Sequence, residues 1–210
     1  MDVHPPHQPV HSWKDFLIHL LTITIGLFIA LTLEAAVEAS HHRHLVREAR
    51  ENLRREIELN QKVYTQNAQD LQLNRSQLAR DIDQLRELRD GKKLENHNLS
   101  WAWKWDSYSD AAWKTARESG AVTYMDSGWI STYSWVYSQQ EYVNSMALAI
   151  VNEETRASAA LQVVKDPVKL SPAEIETLLL KSAEIDLSFA TLQTMMKALD
   201  DMYAQALKRS

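Results

Sequence analysis

The sequence predicts an all-α protein: one N-terminal transmembrane helix running into an elongated antiparallel three-helix bundle, with a short extra helix and a Trp-rich connector. Three observations predict it. Phe16 to Leu33 form an apolar run without formal charge. Glycine and proline number only 4 and 5 in 210 residues, and no proline falls between Pro9 and Pro167, so little interrupts a helix. Beyond the run, apolar residues recur at helical and heptad steps in long segments bounded by capping signals.

Composition narrows the function classes. The chain carries 23 Lys plus Arg against 28 Asp plus Glu, a net charge of −5, which speaks against a nucleic-acid binder because phosphates need a basic surface. With no cysteine there are no disulfides, thiolate nucleophiles, zinc ribbons or iron–sulfur clusters, and redox chemistry gives no compartment. Gly26, Gly91, Gly120 and Gly128 are too dispersed to cradle a phosphate. Gly-x-Ser-x-Gly and His-Glu-x-x-His are both missing. The expectation is a protein that is not an enzyme and takes no cofactor.

Residues 1–11 (MDVHPPHQPVH) read as a disordered Pro/His-rich N-terminus. His4, His7 and His11 suggest a metal, but they lack a rigid scaffold and a fourth ligand, so no metal site is expected. Residues 12–37 form the transmembrane helix. Phe16–Leu33 meets the usual length of about 18 residues, and Glu34–Val37 extends it to about 33 Å. Ser12 and Asp15 make a capping-box pattern, with Trp13 at interfacial depth. A cleaved signal peptide is the alternative. The weakly basic start, the long run, and Glu34 and Glu38 around Ala39 favour a retained span. Arg43, Arg47, Arg50, Arg54 and Arg55 follow the span and only Lys14 precedes it, which favours a cytoplasmic bundle. Glu48 and Glu51 interleave those arginines on a helix and leave an extracytoplasmic placement open.

His19, Thr22, Gly26, Ala30 and Glu34 share one face of the span. Thr22, Gly26 and Ala30 form a small-xxx-small pattern that lets helix backbones approach in lipid, and His19 is better placed against another helix than against acyl chains. This face is the candidate association face; chance occurrence of small residues and a snorkelling His19 are the bland alternative. Next, His41, His42, Arg43, His44 and Arg47 form a basic collar suited to anionic headgroups, or else a solvated turn. Glu38-x-x-His41 has di-iron spacing but no second copy, so it predicts no metal.

Residues 38–210 form the helical bundle domain, with long helices over about 40–90, 127–164 and 172–208 and a short one over about 110–119. In the first, Ile57, Tyr64, Leu71, Leu78 and Leu85 make one heptad seam. Val46, Leu53, Asn60, Asn67, Asn74, Asp81 and Leu88 make its companion, and the asparagines predict a seam that touches water at the bundle edge. Gly91 caps this helix. Trp101, Trp103 and Trp105 alternate in an extended rhythm. Ser109 opens the short helix and Gly120 ends it; Asp126 or Ser127 opens the second long helix, and Asp166-Pro167 breaks it. Ser171-Pro172-Ala173-Glu174 combines a capping box with proline at the first helical position, flanked by the Leu170/Ile175 staple. Short connections predict antiparallel neighbours, with the short helix and tryptophans plugging the distal end. Trp101, Trp103, Trp105, Trp113 and Trp129 (with Trp135) are the candidate aromatic pocket, although packing is the usual fate of such residues.

Two stretches carry a resemblance. IHLLTITIGLFIALTLEAAVEASHHRHLVREARENLRREI resembles the start of a broad group of uncharacterised bacterial single-pass membrane proteins. SDAAWKTARESGAVTYM, followed by YSWVYSQQEYV, resembles a second block of the same group. The similarity lies in pattern and order over about two thirds of the chain. It implies a bacterial envelope protein with an anchored helical domain, for which the inner membrane is the expected location; no biochemical role comes with it, so no residue inherits one. Some members have a more basic N-terminus that places the domain outside the cytoplasm, which this chain lacks. The partners expected from the whole reading are the lipid bilayer and a second copy or another membrane protein, with no nucleic acid. A small-molecule ligand in the aromatic pocket is the alternative.

Overall fold

The computed structural model describes residues 12–92, 99, 103–164 and 167–209. Expectations for residues 1–11 and for Trp101 fall outside these. The described residues are helical with no strand: α1 (Trp13–Arg89), α2 (Ala111–Glu118), α3 (Ser127–Val164) and α4 (Pro172–Arg209), with 3-10 turns at Ala121–Tyr124 and Pro167–Lys169. The chain divides into two compact units, 1–48 and 49–210, and α1 contributes to both as one uninterrupted helix.

Local chemistry sets the helix ends. Ser12 opens α1 by accepting the Lys14 N–H on its Oγ at 3.1 Å, while Asp15 contributes only a backbone bond to the Ser12 carbonyl. At the other end Gly91 adopts φ +73°, and the Lys92 N–H reaches the Glu87 carbonyl at 3.0 Å, closing a Schellman turn that L side chains resist. Gly120, at φ +76°, serves the same purpose between α2 and the following 3-10 turn. Asp126 caps α3 through the Gly128 N–H at 2.9 Å. The α4 capping box forms as its sequence implies, with Glu174 Oε2 accepting from Ser171 N at 2.8 Å and from Ser171 Oγ at 2.6 Å.

The core of the second unit comes from one stripe of each long helix. Leu53, Ile57, Leu71, Leu78 and Leu85 of α1 meet Tyr133, Val136, Val143 and Ile150 of α3 and Phe189, Leu192, Met196 and Leu199 of α4, all nearly sealed from solvent. Most polar positions of the companion seam of α1 do not touch water, while Val46 and Leu88 at its ends are half-buried. Asn60, Asn67 and Asp81 are 1 %, 0 % and 0 % exposed, because their polar atoms meet partners inside the protein rather than solvent. Only Asn74 behaves as an edge residue, donating to its own helix at Asp70 O.

Contact order corrects the expectation of antiparallel neighbours throughout. Gly128 and Thr132 meet Arg209, and Gln139 meets Met195, so α3 and α4 are antiparallel. Gln61 meets Asp200 and Arg75 meets Asp186, so α1 and α4 are too. Glu56 with Tyr137, and Asn60 with Gln140, advance together, so α1 and α3 run in the same direction. The cause is the connector. Asp106 lies opposite Asn67, Ser109 opposite Asn60 and Ala112 opposite Glu56, so the chain returns along α1 before α3 begins. The short helix and tryptophans therefore do not plug the far end. Trp103 and Trp105 belong to a returning strap, and α2 sits beside the first turns of α1 in the second unit.

The strap makes a stability prediction. Asn67→Ala deletes both bonds to the Asp106 backbone and should lower the unfolding free energy by about 2–6 kcal/mol, at about 1–3 kcal/mol for each group left unpaired. The exposed Thr65→Ala should change it by less than about 0.5 kcal/mol. Urea denaturation of the full chain in detergent checks both, and equal midpoints for the two variants contradict the clamp.

Candidate functional site

The apolar end of α1 comes first in the chain. The helix is long and apolar enough to cross a membrane, and none of its most apolar window is buried. Ile18, Ile23, Phe28 and Leu33 are 61–66 % exposed and point around the helix rather than to one side. On the candidate association face, His19, Thr22, Gly26, Ala30 and Glu34 are all exposed. The Thr22 hydroxyl donates to the Ile18 carbonyl at 2.9 Å, which satisfies it within the helix, and no atom lies within 4 Å of where a Gly26 Cβ would stand. The face is smooth and open.

The collar follows on the same helix. His42 lies 3.9 Å from Glu38, the Arg43 guanidinium donates to the Ala39 carbonyl, and Arg47 reaches the His44 ring at 3.0 Å. The rings of His41 and His42 are 6.1 Å apart. His41, Arg43, His44 and Arg47 are exposed. Among the described residues, no group of three or more His, Asp or Glu side chains is arranged to hold a metal.

The tryptophans separate into two groups. Trp103 and Trp105 are tilted at 5.4 Å; Trp103 meets Phe189 edge-on, and Trp105 meets Tyr108 edge-on. Trp113 stacks flat on Tyr137 at 5.6 Å, and Trp129 stacks on Tyr133 with the Arg50 guanidinium 4.2 Å from its ring. Trp135 is 69 % exposed and joins neither. Trp103, Trp105, Trp113 and Trp129 thus do not converge on one pocket. The physical reason is the returning strap, which spreads them along α1.

Side-chain amides hold that strap. Asn60 donates to Ser109 O at 2.8 Å and accepts from Ser109 N at 2.9 Å; Asn67 pairs with Asp106 likewise at 2.8 and 3.1 Å. From the other flank Asn144 pairs with Tyr108 at 3.2 and 3.1 Å and also accepts from the Trp105 indole. Each amide copies the donor–acceptor pair of a neighbouring strand, which an extended backbone buried among helices otherwise lacks. Gln140 adds a bond to Ser109 O and accepts from Tyr203 Oη and Asn60. The buried Glu56 carboxylate accepts from Ser109 Oγ, Ala112 N and Tyr137 Oη at 2.7–2.9 Å. Burial and the Glu56 carboxylate hold the Tyr137 phenol neutral far above its ordinary range, and burial does the same for Tyr203 and Tyr108.

Among the described residues, one buried carboxyl lacks such support. Glu154 of α3 is 5 % exposed, and no hydrogen bond or ion pair from the described residues reaches its carboxyl. Burial alone raises its pKa to about 7. It lines a cavity of about 490 Å³ with Trp103, Lys104, Val151, Thr155 and Ala159 among the walls. Sequence reasoning missed it, yet the signal was present. Val143, Ala147, Ile150, Glu154 and Ala157 follow the heptad core spacing, with the acid at a core position.

Comparison with protein families, curated proteins and solved structures finds no match for this chain.

Glu154 sets a pH dependence. Its folded pKa lies above the ordinary 4.5, so its contribution to stability is complete below about pH 4.5 and is lost as pH rises through 7. Glu154→Gln removes the titration. Relative to the parent, the variant should gain about 1–3 kcal/mol of stability between pH 4.5 and 8. Thermal unfolding at both pH values checks this, and a constant difference refutes it.

Proposed function

We propose that this chain is a membrane-anchored helical interaction protein, a scaffold that is oligomeric or an accessory subunit of a larger membrane complex, and that it works by recognition with no bond made or broken. The observation that carries this reading is the bare apolar surface of α1 from Phe16 to Leu33. Each large apolar side chain left in water forgoes about 1.5–3 kcal/mol, so a continuous sheath of them calls for lipid. A bacterial inner membrane with the domain on the cytoplasmic side agrees with the arginines after the span. In this reading residues 49–210 act as a bundle of three long helices that presents a docking surface.

Within the bilayer, the span associates through His19, Thr22, Gly26, Ala30 and Glu34. The internally satisfied Thr22 hydroxyl and the open space over Gly26 support close backbone approach. The collar of His41, His42, Arg43, His44 and Arg47 meets anionic headgroups, for which its exposed cations are suited.

Two measurements test the proposal. The full chain should stay in the pellet on alkaline carbonate washing of membranes, and its release intact into the supernatant overturns the anchor. Crosslinked dimer yield in membranes should fall at least fivefold with Gly26→Leu and stay near the parent level with Ile23→Leu. Equal yields remove the association face.

A further inference from the structure

The cavity beside Glu154 has the chemistry of a binding site, and neither the anchor nor the strap network accounts for it. A buried carboxyl is expensive unless something pairs with it. Neither Lys104 nor Thr155 supplies that pairing. The one cation among the walls, Lys104, is turned to Asp106 at 3.1 Å. The Thr155 hydroxyl donates to the Val151 carbonyl of its own helix at 2.8 Å. Opposite the acid the strap contributes Trp103, whose indole N–H is also buried without a partner among the described residues. Val151, Ser158, Ala159 and Gln162 complete the lining.

We infer that this cavity binds a small organic cation, a primary or quaternary ammonium, with Glu154 as counter-ion and Trp103 as aromatic wall. One carboxylate is too little for a divalent metal, which takes several oxygen ligands. The volume, about 490 Å³, suits a molecule rather than a bare ion. A carboxylate beside an indole is the pairing that recognises ammonium groups, through charge and through the ring's negative face. The cavity lies within residues 49–210 and stands whether or not the first unit enters a membrane.

The test is isothermal titration calorimetry of the full chain in detergent at pH 8, with choline, n-butylammonium and the neutral isostere 3,3-dimethylbutanol as probes. Saturable 1:1 binding of at least one cation is expected, at least tenfold tighter than the alcohol. Glu154→Gln should weaken it tenfold or more, and Ala159→Phe, which leaves the acid in place and fills the mouth, should abolish it. The second variant keeps the outcome decisive if the first fails to fold. Absence of saturable cation binding, equal affinity for the alcohol, or unchanged affinity in a folded variant overturns the site.

Discussion

An extended backbone cannot be buried among helices unless something pairs with its N–H and C=O groups, and that constraint organises the second unit. Trp103 to Ser109 lies between α1 and α3, where no strand is available. Asn60 and Asn67 on one flank and Asn144 on the other each supply a donor and an acceptor to the backbone of a single residue. Two of these partners are seven residues apart on α1, two helical turns, and face Ser109 and Asp106 three residues apart on the strap. The spacings agree in length: seven residues at about 1.5 Å and three at about 3.3 Å both span about 10 Å. Helical rise and strand rise are thereby matched, and the direction of the strap follows.

From that match the helix order follows. Because the strap consumes the return journey, α3 begins beside the first turns of α1 in this unit and runs in the same direction. The α3–α4 connection is short and gives the expected antiparallel pair. Glu56 fixes the point where strap becomes helix, since one carboxylate takes Ser109 Oγ, Ala112 N and Tyr137 Oη together. Charge-assisted bonds of this kind are stronger than neutral ones, so the start of α2 is tied to both α1 and α3.

The sequence reading was accurate where the determinant is local. The bounds of α2, α3 and α4 agree with it to within a residue or so, because Gly91, Gly120, Asp126 and the Ser171–Glu174 box act through neighbours in the chain. The Leu71, Leu78 and Leu85 seam was equally plain, since apolar periodicity needs no knowledge of the partner. What failed was the companion seam. Three asparagines in register look wet when the partner pictured is another helix, whereas the strap backbone satisfies both ends of the Asn60 and Asn67 amides. The tryptophans failed for the same reason: alternation announced an extended segment but not what it would lie against, so Trp103 and Trp105 were gathered with Trp113 and Trp129 into one pocket, from which the strap separates them.

Glu154 shows how these two kinds of buried polar residue differ. Asn60, Asn67 and Gln140 occupy core positions and are fully engaged, so their cost is repaid as register and direction. Glu154 occupies an equivalent position further along α3, bordering the same strap at Trp103, and is engaged by nothing among the described residues. If the strap were only a structural tie, a leucine there would pack better and cost less. A polar group kept in a core without a partner is a place where stability has been given up, and such places concentrate where a protein meets something else. Because Trp103 belongs to the strap and Glu154 to α3, an ammonium held between them would add a contact across the same interface that Asn144 already bridges.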